Sequence, residues 1–192
     1  MYKKNGFTLL ELMVSLAIVA ILAMISTSFA GMLRNKQVST IAQQFITDLN
    51  YARSLAISHN TRITLCKSDS DINPRQCVSD NGDTGWDQGW IVFIDVNNDQ
   101  QLMEADNNLL KVSEKLAPSI RLKGNTPVSN YISFQGSGFS RKQNGSLQMG
   151  SLALCDQSTS ESPLRIITIS SAGRTRINRS KTKSKNNMSC NI

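Results

Sequence analysis

From Phe7 to Leu33 the chain is apolar for 27 residues, broken only by isolated Thr, Ser and Gly and by one glutamate, Glu11. Six polar, partly basic residues, MYKKNG, precede this run. About 20 apolar residues suffice to cross a bilayer as a helix, so the pattern predicts a transmembrane or filament-core helix over 7–33. Lys3 and Lys4 would stay cytoplasmic under the positive-inside rule, which sends the C-terminal bulk outward. A cleaved secretory signal fits less well, because its charged segment should be longer, its apolar run shorter and free of a carboxylate.

Beyond the run, Val38, Ile41, Phe45, Leu49, Ala52 and Ala56 recur every three or four residues and mark one helix face. Gln43, Gln44, Asp48 and Arg53 are expected on the other. A helix from Phe7 to Ser58 would be roughly 75 Å long at about 1.5 Å per residue, and His59-Asn60 reads as its exit. The period then changes to two. Arg62–Lys67, Gly89–Asp95, Leu109–Leu116, Ser119–Lys123, Tyr131–Gln135, Leu147–Cys155 and Leu164–Ser170 read as strands, separated by Gly, Asn, Asp and Ser. The pattern predicts a β-sheet domain packed on the one-sided half of a long N-terminal helix. Trp86 and Trp90 are expected as core or strand-edge anchors.

Composition narrows the chemistry. Of 192 residues 40% are hydrophobic, which is enough for a packed core. A single histidine, His59, leaves no His-rich metal centre and no His-based relay. Neither a Walker-type nor a G-x-G-x-x-G string occurs, so no nucleotide cradle is signalled. The net charge of +7 is unevenly distributed. Residues 1–68 hold 7 bases and 2 acids, residues 69–106 hold 1 base and 9 acids, and residues 107–192 hold 13 bases and 3 acids. The acidic middle would repel a polyanion that the basic C-terminal part attracts.

Glu11 stands out, because a carboxylate in hydrocarbon costs about 2.5–3.5 kcal/mol on insertion scales. The stretch GFTLLELMVSLAIVAIL, Gly6 to Leu22, resembles the class III leader and N-terminal helix of type IV pilins and type II secretion pseudopilins. The resemblance implies an α+β type IV pilin fold, with a long helix packed on a mainly antiparallel sheet domain. It also implies cleavage after Gly6 by a prepilin peptidase, N-methylation of Phe7, and pairing of Glu11 with the N-terminal amine of a neighbouring subunit. The subunit would sit in the inner membrane before joining an extracellular filament of other pilin subunits. WDQGWIVFIDVNND, Trp86 to Asp99, and DLNYARSLAISHN, Asp48 to Asn60, resemble the GspH/FimT group within that family. The division expected is a leader at 1–6, an apolar helix at 7–33, a globular domain at 34–172 and a basic tail at 173–192.

Asp95, Asn97 and Asp99 alternate like the first ligands of an EF-hand loop. Gln100 stands where that loop needs glycine, and Asp106 where it needs glutamate, so an Asp/Asn-rich turn is favoured. No metal or other cofactor is expected. Cys66, Cys77, Cys155 and Cys190 contain no C-x-x-C pair and should be oxidised outside the cytoplasmic membrane. Four cysteines permit three pairings. Cys66–Cys77 with Cys155–Cys190 is preferred, because it joins sequence neighbours and anchors the tail. The second bridge would contribute about 3–4 kcal/mol by loop entropy.

From Gly173 to Lys185 the chain reads GRTRINRSKTKSK, with Arg174, Arg176, Arg179, Lys181, Lys183 and Lys185 and no acid. On an extended strand Arg174 and Arg176 share one face and the later four share the other, about 6.6 Å apart. With few apolar residues, the segment reads as a tail held, if at all, by Cys190. Gly173-Arg174-Thr175-Arg176 resembles the G-R-x-R motif of FimT-type minor pilins, which implies capture of DNA for natural transformation. Binding would run through the phosphates and be sequence-independent. Arg121, Lys123, Arg141 and Lys142 are candidate extensions. The absence of aromatic residues from 173 to 192 argues against base stacking. Two other functions stay open: a structural minor pilin that primes filament assembly, and a type II secretion pseudopilin. No nucleophile–base pair supports an enzyme.

Overall fold

The computed structural model describes residues 7–69, 76–79, 84–102, 108–158 and 164–180. For residues 25–30 it describes only the course of the helix. The chain divides into two units, residues 1–37 and 38–192.

Helix α1 spans Leu9–His59. Thr8 caps its start: the Thr8 Oγ1 accepts the Glu11 N–H at 3.3 Å and the Thr8 carbonyl accepts the Leu12 N–H at 3.2 Å. Thr8-Leu9-Leu10-Glu11 is therefore a capping-box sequence with its threonine half formed. Asn60, at φ 48°, ends the helix in the left-handed region that asparagine tolerates. In the first unit Phe7, Leu9, Leu10, Leu12, Met13, Leu16 and their neighbours to Met24 are exposed on every side. A helix apolar all round needs surroundings outside its own chain. Among the described residues no helix is long and apolar enough to cross a membrane. The span expected over 7–33 includes the side chains of 25–30, which lie outside the described residues.

In the second unit Val38, Ile41, Ala42, Phe45, Leu49, Ala52 and Ala56 are buried along one stripe of α1. Each large side chain contributes about 1.5–3 kcal/mol by leaving water. Phe45 meets Trp86 and Trp90 edge-on, with ring centroids 5.3 and 5.1 Å away. Both indoles are fully buried, and each N–H is satisfied. Trp86 Nε1 donates to the Val128 carbonyl at 3.0 Å, and Trp90 Nε1 to Asp48 Oδ2 at 2.8 Å. Asp48 corrects the expected polar face. It is fully buried, and it also accepts from Lys111 Nζ and from Ser113 Oγ at 3.4 Å. The helical wheel places Asp48 beside Phe45 and Leu49. It is tolerated there because three donors of the first sheet converge on it.

The strands are β1 (Ile63–Lys67), β2 (Trp90–Ile94), β3 (Leu109–Ser113), β4 (Ile120–Gly124), β5 (Tyr131–Phe134), β6 (Gly150–Asp156), β7 (Leu164–Ile169) and β8 (Thr175–Ser180). They form two four-stranded antiparallel sheets, ordered β3-β2-β1-β5 and β4-β6-β7-β8. Ile63, Leu65 and Val92 of the first sheet join Leu122, Leu152, Leu154, Ile167 and Ile169 of the second, with the α1 stripe, in one hydrophobic cluster. Asp87 ties the β4 edge down. It is buried and accepts the Leu122 N–H at 3.2 Å and Arg121 Nη1 at 3.1 Å. A disulfide joins Cys66 to Cys77 with their Cα atoms 5.5 Å apart.

For residues 175–180 the eighth strand corrects the reading of a tail held, if at all, by Cys190; residues 181–192 lie outside the described residues. Residues 175–180 pair with β7 along their whole length, and Ile177 packs on the main core. One apolar residue in an alternating Thr-x-Ile-x-Arg pattern was enough, because the ladder supplies the rest of the hold.

Candidate nucleic-acid interface

β7 and β8 are joined by Ser170-Ser171-Ala172-Gly173-Arg174. The Gly173 N–H donates to the Ser170 carbonyl at 2.9 Å, and the Ser170 N–H donates to the Arg174 carbonyl at 2.9 Å. The Ser170 Oγ accepts the Arg174 N–H at 3.1 Å. Gly173 sits at φ +72°, the conformation that a short hairpin loop requires of its αL residue. It also has no room for a side chain. A Cβ there would lie 2.4 Å from the Gly138 carbonyl oxygen and 2.8 Å from Arg53 Nε. Arg53, from α1, donates to that same carbonyl at 2.9 Å. The glycine of the G-R-x-R string is therefore a folding element that lets one hairpin turn rest on another.

The register fixes the arginine directions. Ile167 lies opposite Ile177, Thr168 opposite Arg176, and Arg165 opposite Arg179. Ile167 and Ile177 pack on the core, so Thr175, Ile177 and Arg179 share the core side of the sheet. Thr175 Oγ1 accordingly donates to Asn50 Oδ1 of α1 at 3.1 Å. Arg176 and Asn178 face the outer side by alternation, with Arg174 leading into that face. Arg174, Arg176 and Arg179 are exposed. Among the described residues the ion pairs are Lys111–Asp48 and Arg121–Asp87, so none of these three arginines is neutralised there.

The candidate extensions separate. Arg121 is engaged by buried Asp87 and is not a free cation. Lys123 lies level with Ala153, Ile166 and Asn178 on the outer face. It is on β4, three strand spacings or about 14 Å from β8. Arg141 Nη1 donates to the Gly145 carbonyl at 2.8 Å, in a loop tied to the β7–β8 turn by the Ser140 N–H, which donates to the Ser171 carbonyl at 3.0 Å. Lys142 follows it in that loop. Cys155, buried on the outer face, is disulfide-bonded. Its partner lies outside the described residues, as do Cys190, Lys181, Lys183, Lys185 and Gly6.

Sequence reasoning missed Arg165, which read as one polar residue in a strand. It is buried on the core side opposite Arg179. Burial, helped by the neighbouring Arg179 charge, holds its pKa below the ordinary arginine value. Its register partner reveals it, but the register needs β8, whose sequence reads as a tail.

Of the acidic middle, Asp87 and Asp95 are buried, while Asp69 and Asp99 are half-buried. Asp95 accepts from Thr64 Oγ1 at 2.8 Å, and burial raises its pKa above the ordinary 3.8. Asn97 Nδ2 donates to Asp99 Oδ2 at 2.8 Å, and the Gln101 N–H donates to Asp99 Oδ1 at 2.8 Å. These oxygens close a turn rather than converge. Among the described residues no group of three or more His, Cys, Asp or Glu could hold a metal.

A one-sided helix packed on two antiparallel sheets, preceded by an all-apolar helical segment, defines the α+β type IV pilin fold. Crystal structures of the type IV minor pilin FimU of Pseudomonas aeruginosa share it. One, in space group P21, is 21% identical with a TM-score of 0.52 over 74% of this chain and 89% of that one. Another, in space group P65, is 20% identical with a TM-score of 0.50 over 73% and 91%. The family of type II transport protein GspH matches residues 42–173, and the prokaryotic N-terminal methylation motif matches residues 1–27. The chain belongs to the GspH family. Among curated proteins no sequence matches it.

Proposed function

We propose that the chain is a minor type IV pilin that binds DNA through its phosphates, for uptake in natural transformation. The observation that carries this is the β8 edge. Two exposed arginines, Arg176 and Arg179, stand on one edge strand and a third, Arg174, on the turn leading into it, without a carboxylate partner among the described residues. Of the described acids beside this sheet, Asp87 is taken up at β4, and buried Asp156, on β6, accepts the Ser158 N–H at 2.9 Å. Lys181, Lys183 and Lys185 continue the same charge along the chain. The methylation motif supports cleavage after Gly6, methylation of Phe7, and pairing of Glu11 with the amine of a neighbouring subunit as the filament forms from inner-membrane precursors. The exposed apolar helix of residues 7–24 supports burial against other pilin subunits.

Anisotropy of a labelled 20–30 bp duplex, titrated with the full chain in non-ionic detergent, tests the reading. With four to six phosphate contacts, log affinity falls against log salt with a slope of about −4 to −5. Arg174→Gln with Arg176→Gln lowers that slope by about 2 and leaves the fold intact. An unchanged slope in the double variant, or no binding at low salt, refutes it. A second reading has its own support, since the matching family is described by type II transport and its match ends at Gly173, before the arginines. A secretion pseudopilin predicts a protein-secretion defect on gene removal, with DNA uptake intact.

A further inference from the structure

The β7–β8 ladder places the two remaining cations of this hairpin side by side. Arg165 lies directly across from Arg179, on the face that carries Ile167 and Ile177 to the core. That face is opposite to the one carrying Arg176. Arg165 is only 9% exposed. Of its five donors, one is engaged: Nη1 donates to the carbonyl of its own neighbour Leu164 at 3.4 Å. Neither arginine is in an ion pair with a carboxylate of the described residues. A mostly buried arginine beside a like charge, with no carboxylate partner among the described residues, is disfavoured by both burial and repulsion. An anion entering between the two relieves both, and a guanidinium fork fits a two-oxygen acceptor such as phosphate.

We infer that Arg165 and Arg179 form an anion cleft on the core side of β8 that takes one backbone phosphate of the bound nucleic acid. This rests on the proposed function and adds a contact to it. Among the described residues β8 is the last strand of its sheet, so a polyanion laid along the edge reaches both faces. From Arg176 to Arg179 the strand advances about 10 Å, which matches about three base-pair rises of 3.4 Å along the DNA helix axis. Arg174 and Arg176 then grip from the outer side and the Arg165–Arg179 cleft from the inner side.

Two measurements on the full chain in non-ionic detergent test this. In the first, the chain is melted in sodium phosphate and in sodium chloride of equal ionic strength. The cleft predicts a higher melting temperature for wild type in phosphate, abolished in Arg165→Gln. Equal wild-type melting in the two salts overturns the cleft. The second measures the salt slope for DNA. Arg165→Gln and Arg179→Gln each lower it by about 0.9, which is about eightfold in affinity at 0.1 M salt. Exposed Arg179→Gln carries this arm should Arg165→Gln fail to fold. If both variants keep the wild-type slope while Arg174→Gln with Arg176→Gln loses it, this inference fails and the proposed function stands. If wild type binds no DNA yet phosphate stabilises it through Arg165, the nucleic-acid occupant is overturned, and an acidic side chain of a neighbouring subunit takes its place.

Discussion

Gly173→Ala separates the folding part of the G-R-x-R string from its binding part. Three effects set its size. Alanine at φ +72° adopts the left-handed region at a cost of about 1–2 kcal/mol. Its Cβ would lie 2.4 Å from the Gly138 carbonyl oxygen and 2.8 Å from Arg53 Nε. Gly138 is itself at φ +77°, so relief must come from moving one turn off the other, with an overpacking cost of about 1–3 kcal/mol. Loss of glycine's freedom in the unfolded chain returns about 0.4–1 kcal/mol. The net is about 2–3 kcal/mol, or roughly 5–10 °C in melting temperature for a domain of this size. Urea unfolding of the full chain in non-ionic detergent, followed by the fluorescence of the two buried tryptophans, measures it. Arg53→Ala made together with Gly173→Ala removes one of the two clashing groups, so the double variant should lose less than the sum of the singles. A Gly173→Ala protein within 0.5 kcal/mol of wild type would refute the turn-on-turn account. So would a cycle that is strictly additive.

Asp48→Ala leaves the buried Trp90 indole N–H without an acceptor and frees Lys111. The lysine is 40% exposed and can turn to water, so the expected loss is about 2–4 kcal/mol, with Asp48→Asn costing less; urea unfolding by tryptophan fluorescence reads it, and equal losses for Ala and Asn would sink the network. Burial raises the Asp95 pKa, so the folded state binds that proton more tightly than the unfolded chain does. Asp95 then penalises the fold at neutral pH and relaxes the penalty as pH falls through its folded pKa toward 3.8. The stability of Asp95→Asn relative to wild type should therefore shrink on acidification from pH 7, and a pH-independent difference would refute it. Arg174→Glu with Arg176→Glu keeps the β8 edge charged while reversing its sign; the variant should stay monodisperse by light scattering and lose DNA binding entirely, and retained binding would place the contacts elsewhere.

Much of this architecture was legible because periodicity is a one-dimensional signal. The buried stripe of α1 from Val38 to Ala56 reads directly off the spacing, and so do the strands with alternating apolar residues. What stayed hidden depended on partners distant in the chain. Asp48 reads as polar surface until Trp90, Lys111 and Ser113 are placed around it. Thr175–Ser180 reads as a tail because charge dominates its composition. It becomes a strand only because β7 offers a free edge and Ile177 meets Ile167. The arginine alternation was visible, but which of its two faces meets the core required that edge. Arg165 had no signal until β8 supplied its neighbour.

An exposed edge strand needs charge in any case, because its unpaired backbone would otherwise recruit another strand. That requirement alone accounts for a cation or two on β8. It does not account for their sign on both faces, since acidic residues guard an edge equally well. Nor does it account for Arg165, which is buried behind the edge and guards nothing. At the other edge of the same sheet the chain does the opposite: Asp87 covers β4 and neutralises Arg121. One edge is thus closed by an internal carboxylate, while the other keeps Arg174, Arg176 and Arg179 uncompensated among the described residues. Uncompensated charge of one sign lowers stability through self-repulsion. Such an arrangement calls for an anion to offset it, which is the asymmetry on which the proposed DNA contact rests.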